Sequence, residues 1–190
     1  MDVLIASNRN LIAKRDCERS MARLGPRIFV TDERKSLPLF KIIGDNVKVS
    51  GFQLRGPTDY MAQGDRKERG IAISPPANGP LIQHIEISNM DIHFWSGMAV
   101  GVGDSWTTEQ KLGLLNNQNV GAVRVHDSYL HHNRHGAGYG YGTNIGGGAY
   151  ALIERNVFDE NRHAIAGGSK GGDKKDADGE VIEASVDYSG

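Results

Sequence analysis

Two short runs hold most of the side chains able to do chemistry: His131-His132-Asn133-Arg134-His135 and Asn161-Arg162-His163. Each contains the triplet Asn-Arg-His. A guanidinium neutralises carboxylates, and an imidazole titrates close enough to neutral pH to accept a proton. β-Elimination on a uronic acid needs the sugar carboxylate neutralised, the neighbouring proton removed and the leaving oxygen protonated. Arg134 and Arg162 suit the first role, and His135 or His163 suits the second. The plainer alternative is that these histidines fill corners and hydrogen-bond the backbone.

Other chemistries are less well supplied. His131, His132 and His135 have ligand-like spacing, but such gaps bring rings onto one face only in a helix. Cys17 is the single cysteine, so neither an internal disulfide nor a cysteine-based zinc set follows, and no metal ligand is assigned. Asp176-Ala177-Asp178-Gly179 has Lys174 and Ser185 where a calcium loop needs carboxylates, so a turn explains it better. A glycosidase needs two converging carboxylates. Asp65 with Glu68, Asp104 with Glu109, and Asp159 with Glu160 are the candidates, and nothing in the sequence makes any two converge. Gly146-Gly147-Gly148 lacks the Lys-Ser/Thr of a phosphate loop, and there is no Gly-x-Ser-x-Gly elbow.

What must position these groups is a repeat. Arg69–Ser74, Met98–Gly103 and Ala137–Gly142 overlay with their aliphatic and small residues in step, and Ile165–Lys170 fits more loosely. Equivalent positions fall at 71, 100, 139 and 167. A second ladder runs through Val47–Val49, Ile85–Ile87, Val123–Val125 and Ala151–Ile153, each leading to a larger apolar residue: Leu54, Ile92, Leu130 and Phe158. Strand-like alternation repeating every few tens of residues, without helical periodicity, predicts a solenoid. Its stacked strands, roughly 4.8 Å apart, would set Asn133 on Asn161, Arg134 near Arg162 and His135 near His163. Asp159 or Glu160 could lie between the guanidiniums, as could a bound uronate.

In the first ladder, alternation points Ile71, Ile73, Val100, Val102, Tyr139 and Tyr141 inward. Gly70, Ala72, Ala99, Gly101, Gly138 and Gly140 then form an outward strip of small residues. Polar loops 57–69 and 104–119 would wall it. The strip reads as a groove floor for an extended polymer, or equally as a seat for another segment or a second chain. On the groove reading Gly138, Gly140, Asp104 and Trp106 contact substrate, Trp106 by stacking on a sugar face. Trp95, beside Phe94, reads as core.

The stretch Asp127-Ser-Tyr-Leu-His-His-Asn133-Arg134-His135-Gly-Ala-Gly, followed by Arg155-Asn-Val-Phe-Asp-Glu-Asn161-Arg162-His163-Ala-Ile-Ala-Gly, resembles the repeats of right-handed parallel β-helix proteins of the pectate-lyase-like superfamily. Pro38 to Gly56 resembles an early coil of the same proteins. The likeness covers about 36–170. It implies an all-β, right-handed parallel β-helix (solenoid), a polysaccharide as partner, and an extracellular or cell-surface location. It also leaves Ca2+ open as a cofactor, with no residue to name for it.

Composition agrees. A chain of 190 residues suits one domain, 1–190, with 171–190 read as a linker and a further strand. The net charge of -1 gives no reason to expect nucleic acid. No apolar run is long enough to span a bilayer, so no membrane partner is expected. Val3-Leu4-Ile5-Ala6 is too short for a signal-peptide core. Strand-like ends without evident caps read as a solenoid incomplete at one or both ends, able to self-associate through uncapped coils. The expected function is a lyase or hydrolase of acidic glycans. The alternative is a non-catalytic carbohydrate-binding or structural β-helix module of the adhesin or tail-spike kind.

Overall fold

The computed structural model describes residues 3–13, 25–31, 38–57, 67–74, 82–103, 123–136, 138–146 and 149–168. Each coil contributes three short strands. In chain order they are β1 (Val3–Ile5), β2 (Arg9–Ile12) and β3 (Arg27–Phe29), then β4 (Pro38–Ile42), β5 (Val47–Ser50) and β6 (Gln53–Arg55). Next come β7 (Arg69–Ile73), β8 (Ile85–Ser88) and β9 (Asp91–His93), then β10 (Met98–Val102), β11 (Val123–His126) and β12 (Tyr129–His131). The last are β13 (Tyr141–Gly146), β14 (Leu152–Glu154), β15 (Val157–Asp159) and β16 (His163–Gly168). They form three sheets ordered β1-β4-β7-β10-β13-β16, β2-β5-β8-β11-β14 and β3-β6-β9-β12-β15. Every pairing is parallel, so the fold is a parallel β-helix.

The aliphatic ladders explain why the sequence winds this way. Val47, Ile85 and Val123 share one column, and Val49, Ile87 and Val125 another, all buried. On the third sheet Leu54, Ile92, Leu130 and Phe158 lie in register as the second ladder predicts, and Ile28 extends the column by one coil. β-Branched and large apolar side chains stacked at strand spacing form one continuous core along the axis.

Corners require backbone in the left-handed region, and the same corner position adopts it in successive coils. Asn8, Asn46 and His84 have φ of 58°, 53° and 57°, and Asn89, Asp127 and Arg155 have 52°, 50° and 52°. At the corner after the third sheet the column is Phe94, His132 and Glu160, with φ of 63°, 53° and 49°. Asn, Asp and His accept this geometry more readily than Phe, Arg and Glu do.

The first ladder is correct for β7 over β10, where Ile71 pairs with Val100. It needs correction beyond that. Val100 pairs with Thr143 rather than Tyr139, and Thr143 pairs with Ile165 rather than Gly167. The chain leaves the coil frame after Asn133 and rejoins it at Gly140. The Arg162 N–H closes this excursion by donating to both Asn133 O at 3.1 Å and Gly140 O at 2.9 Å. Tyr139 and Tyr141 are accordingly half-buried, and Thr143 and Ile145 occupy the inward positions.

The strip of small residues is not an open floor either. Ala72 and Ala99 are buried, as are Gly70 and Gly101. A Cβ on Gly70 would lie 3.0 Å from Ile92 Cγ2 and 3.2 Å from Trp95 Nε1, and one on Gly142 would lie 2.6 Å from Phe158 Cδ1. Side chains of the third sheet and its corner press on this column from within, and only small residues fit beneath them. Gly138 and Gly140 lie in the excursion instead. Gly140 has φ 96°, and a Cβ there would sit 2.6 Å from Arg134 Cα and Asn133 O. Gly140→Ala should therefore cost about 3 kcal/mol, read as a fall in urea midpoint. A change within the error of the midpoint would show that the excursion yields freely.

Candidate functional site

The outer face of the third sheet, with the corner after it, collects the titratable groups. On a strand the neighbours of an inward residue point outward, so the column through Ile92 and Leu130 is flanked by two outward columns. One contains Arg27, Gln53, Asp91, Tyr129 and Val157, and the other Phe29, Arg55, His93, His131 and Asp159.

Asp91 is the hub. Its Oδ1 accepts from His93 Nδ1 at 2.8 Å and from His131 Nε2 at 3.0 Å, and its Oδ2 accepts from Gln53 Nε2 at 3.0 Å. Arg27 Nε donates to Gln53 Oε1 at 2.7 Å, which orients that amide. Burial would raise the Asp91 carboxyl, but the hydrogen bonds from His131 and His93 outweigh it and hold it well below the usual carboxylate range. The group stays ionised through the physiological range.

The imidazoles stack. His93 and His131 have ring centroids 4.6 Å apart, and Tyr129 covers the His131 ring at 4.0 Å. The Tyr129 hydroxyl donates to Asp159 Oδ2 at 2.9 Å, and that bond, with burial, raises the phenol pKa. Further along the corner His131 Nδ1 faces His132 Nδ1 at 2.9 Å, and His132 Nε2 lies 3.4 Å from Glu160 Oε2. Arg55 lies over the Phe94 ring at 5.2 Å.

The expected Asn pairing is present. Asn133 Nδ2 donates to Asn161 Oδ1 at 2.7 Å, and Asn133 Oδ1 accepts from the Trp95 N–H at 3.0 Å. The expected stacking of His135 with His163 is not, because β13 places Tyr141 opposite His163. His135 lies inside the excursion, 2% exposed, edge-on to Tyr139 at 5.6 Å. Arg134 pairs with Glu160 through Nη2 and donates from Nε to Glu160 O at 2.8 Å, so its charge is already matched. Glu160, one of the two carboxylates expected between the guanidiniums, meets Arg134 and not Arg162, while Asp159 serves Tyr129.

Arg162 and His163 stand apart from these pairings. Arg162 Nη1 donates to Gly138 O at 2.8 Å and to His163 Nε2 at 2.9 Å. Among the described residues no carboxylate pairs with Arg162, and both side chains are exposed. By accepting this bond, His163 Nε2 keeps its lone pair, as a base requires. Asp104 and Trp106 lie outside the described residues. Trp95 is core, 1% exposed, with Nε1 donating to Leu54 O at 3.1 Å.

Asp91, His93 and Tyr129 were not singled out from the sequence, and Asp159 was expected beside the guanidiniums rather than on Tyr129. The signal was nevertheless there. The ladder that sets Ile92 over Leu130 and Phe158 also sets Asp91 over Tyr129 and His93 over His131 and Asp159.

The second sheet carries charges of a different kind. Lys48 Nζ meets Glu86 Oε1 at 2.7 Å, His126 Nδ1 meets Asp127 Oδ2 at 2.7 Å, and Arg155 Nε meets Asp127 Oδ1 at 2.8 Å. Lys48–Glu86 and Arg155–Asp127 run from coil to coil and neutralise one another, as charges on neighbouring strands do, whereas His126 Nδ1 bonds the next residue in its own coil.

No protein-family model matches this chain, and no curated protein or solved structure matches it either.

Proposed function

We propose that this β-helix acts on an acidic polysaccharide, with Arg162 receiving the uronate carboxylate and His163 taking the adjacent proton. The carrying observation is the exposed contact between them, Arg162 Nη1 to His163 Nε2 at 2.9 Å. A guanidinium held by one carbonyl and one imidazole has donors to spare for a bidentate carboxylate. Swinging onto substrate would release the imidazole lone pair beside the sugar. Solvent water would protonate the leaving oxygen at this exposed site. The sequence likeness to pectate-lyase-like repeats supports the same substrate class. It carries only the weight of a shared fold.

The test is incubation with a panel of uronic-acid polymers, following absorbance near 235 nm, where unsaturated products absorb, together with reducing ends. Turnover is expected on at least one polymer. His163→Ala should lower it about 100-fold or more, the usual share of a general base, and Arg162→Ala should remove it. Arg134→Ala should reduce turnover far less, because Glu160 already matches that charge. Binding on a glycan array without either product signal would instead identify a carbohydrate-binding or structural module.

A further inference from the structure

We infer that Asp91, His93 and His131 form a binding site for a divalent first-row transition metal ion. Asp91 Oδ1, His93 Nδ1 and His131 Nε2 come from two adjacent coils, and one ligand atom from each lies within 4.8 Å of the others. Zinc bonds of about 2.0–2.2 Å to nitrogen and oxygen place such atoms about 3.3 Å apart in a tetrahedron. The present separations of 2.8 and 3.0 Å from Asp91 Oδ1 need to open by only a few tenths of an ångström.

The surroundings are those of a built site. Asp91 is 7% exposed and His93 9%, so the ligands are shielded and their motion is restricted. A second layer orients Asp91 and His131, as metal ligands require, and His93 is packed between the Phe94 and His131 rings. Gln53 fixes Asp91 through Oδ2, and Arg27 fixes Gln53. When a cation replaces the ring protons facing Asp91, the proton of a neutral His131 moves to Nδ1. There it faces His132 Nδ1 at 2.9 Å, with Glu160 beyond.

The donor set decides the ion. Two imidazoles and one carboxylate suit zinc, cobalt or nickel, whereas calcium and magnesium prefer oxygen throughout. Three protein ligands leave a coordination position for water or another ligand. The inference does not depend on glycan turnover, because its readout is metal binding itself.

The experiment is calorimetric titration of the metal-free protein with zinc, repeated on His93→Gln and His131→Gln. Expected are one ion per chain with micromolar or tighter affinity, and at least tenfold weaker binding in each variant. In case a variant misfolds, ring-nitrogen NMR of the wild-type protein gives an independent reading: zinc should shift His93 and His131 first. Wild-type affinity weaker than about 1 mM would overturn the site. So would zinc-induced shifts confined to His84, His126 or His163, or variant affinities within twofold of wild type.

Discussion

Trp95→Ala should destabilise the protein by about 4–5 kcal/mol. The indole is 1% exposed and spans the core at the corner where the third sheet gives way to the first. It lies over Gly56 and Gly70, where an added Cβ would come within 3.0 and 3.2 Å of its ring. Removing a buried aromatic costs about 3–5 kcal/mol, because the transfer energy is lost and the cavity does not fully collapse. The neighbours include Gly70 on β7 and Gly56 just after β6, which have no side chains to fill the space, so collapse is poor. The Leu54 carbonyl also loses its donor, the Trp95 Nε1 now 3.1 Å away, for about 1 kcal/mol more. A native domain is stable by only about 5–15 kcal/mol, so the variant should melt far earlier or fail to fold. Trp95→Phe keeps most of the contact and loses the hydrogen bond, and should cost about half as much. Urea denaturation followed by circular dichroism measures both. A loss below ~1 kcal/mol for Trp95→Ala would contradict the packing argument.

Asn133→Ala should cost about 3 kcal/mol, although it deletes only a small amide. The side chain is 0% exposed and works in both directions. Its Oδ1 accepts the Trp95 N–H from the preceding coil, and its Nδ2 donates to Asn161 in the next. Asn161 Nδ2 in turn donates to Leu130 O at 2.7 Å. Alanine would leave the Trp95 N–H buried without its acceptor and take a donor from Asn161 Oδ1, at about 1–3 kcal/mol for each buried group. Asn133→Asp is no rescue: it can accept from Trp95 but cannot donate to Asn161, and it places a charge in the core. The half-buried Asn156, which accepts from Ser128 N at 3.0 Å and donates to Val125 O at 2.8 Å, should cost about 1 kcal/mol on replacement by alanine. Hydrogen exchange at the Trp95 amide adds a local reading. Unchanged protection in Asn133→Ala would mean that water replaces the amide.

The contrast between the two ladders shows where sequence reasoning holds and where it slips. Val47, Ile85 and Val123 could be aligned because two coils of equal length separate them and each strand alternates cleanly. The alignment of Tyr139 with Val100 failed because Ala-Gly-Tyr-Gly-Tyr-Gly imitates the small-and-apolar alternation of a strand. The chain instead makes an excursion there and pairs four residues later, with Thr143 inside. Glycine permits both conformations, so the pattern alone does not choose between them. The error carried over to the candidate site: it joined His135 to His163, whereas the structure buries His135 and sets the His163 ring, tilted, 5.7 Å from Tyr141.

By itself the sequence determined the class of fold, the register of the second and third sheets from Val47 onward, the Asn133–Asn161 bridge and the core role of Trp95. These follow from periodic apolar burial, which is local and repeats from coil to coil. Only the tertiary structure decided which polar groups meet. Asp91 and His131 lie 40 residues apart in the chain and share a hydrogen bond. Arg134 is matched by Glu160, while the Arg162 side chain meets His163 and the Gly138 carbonyl. Polar partners depend on distances of a few tenths of an ångström across coils, and a single insertion shifts every one of them. Hydrophobic stacking tolerates such a shift, and directional chemistry does not.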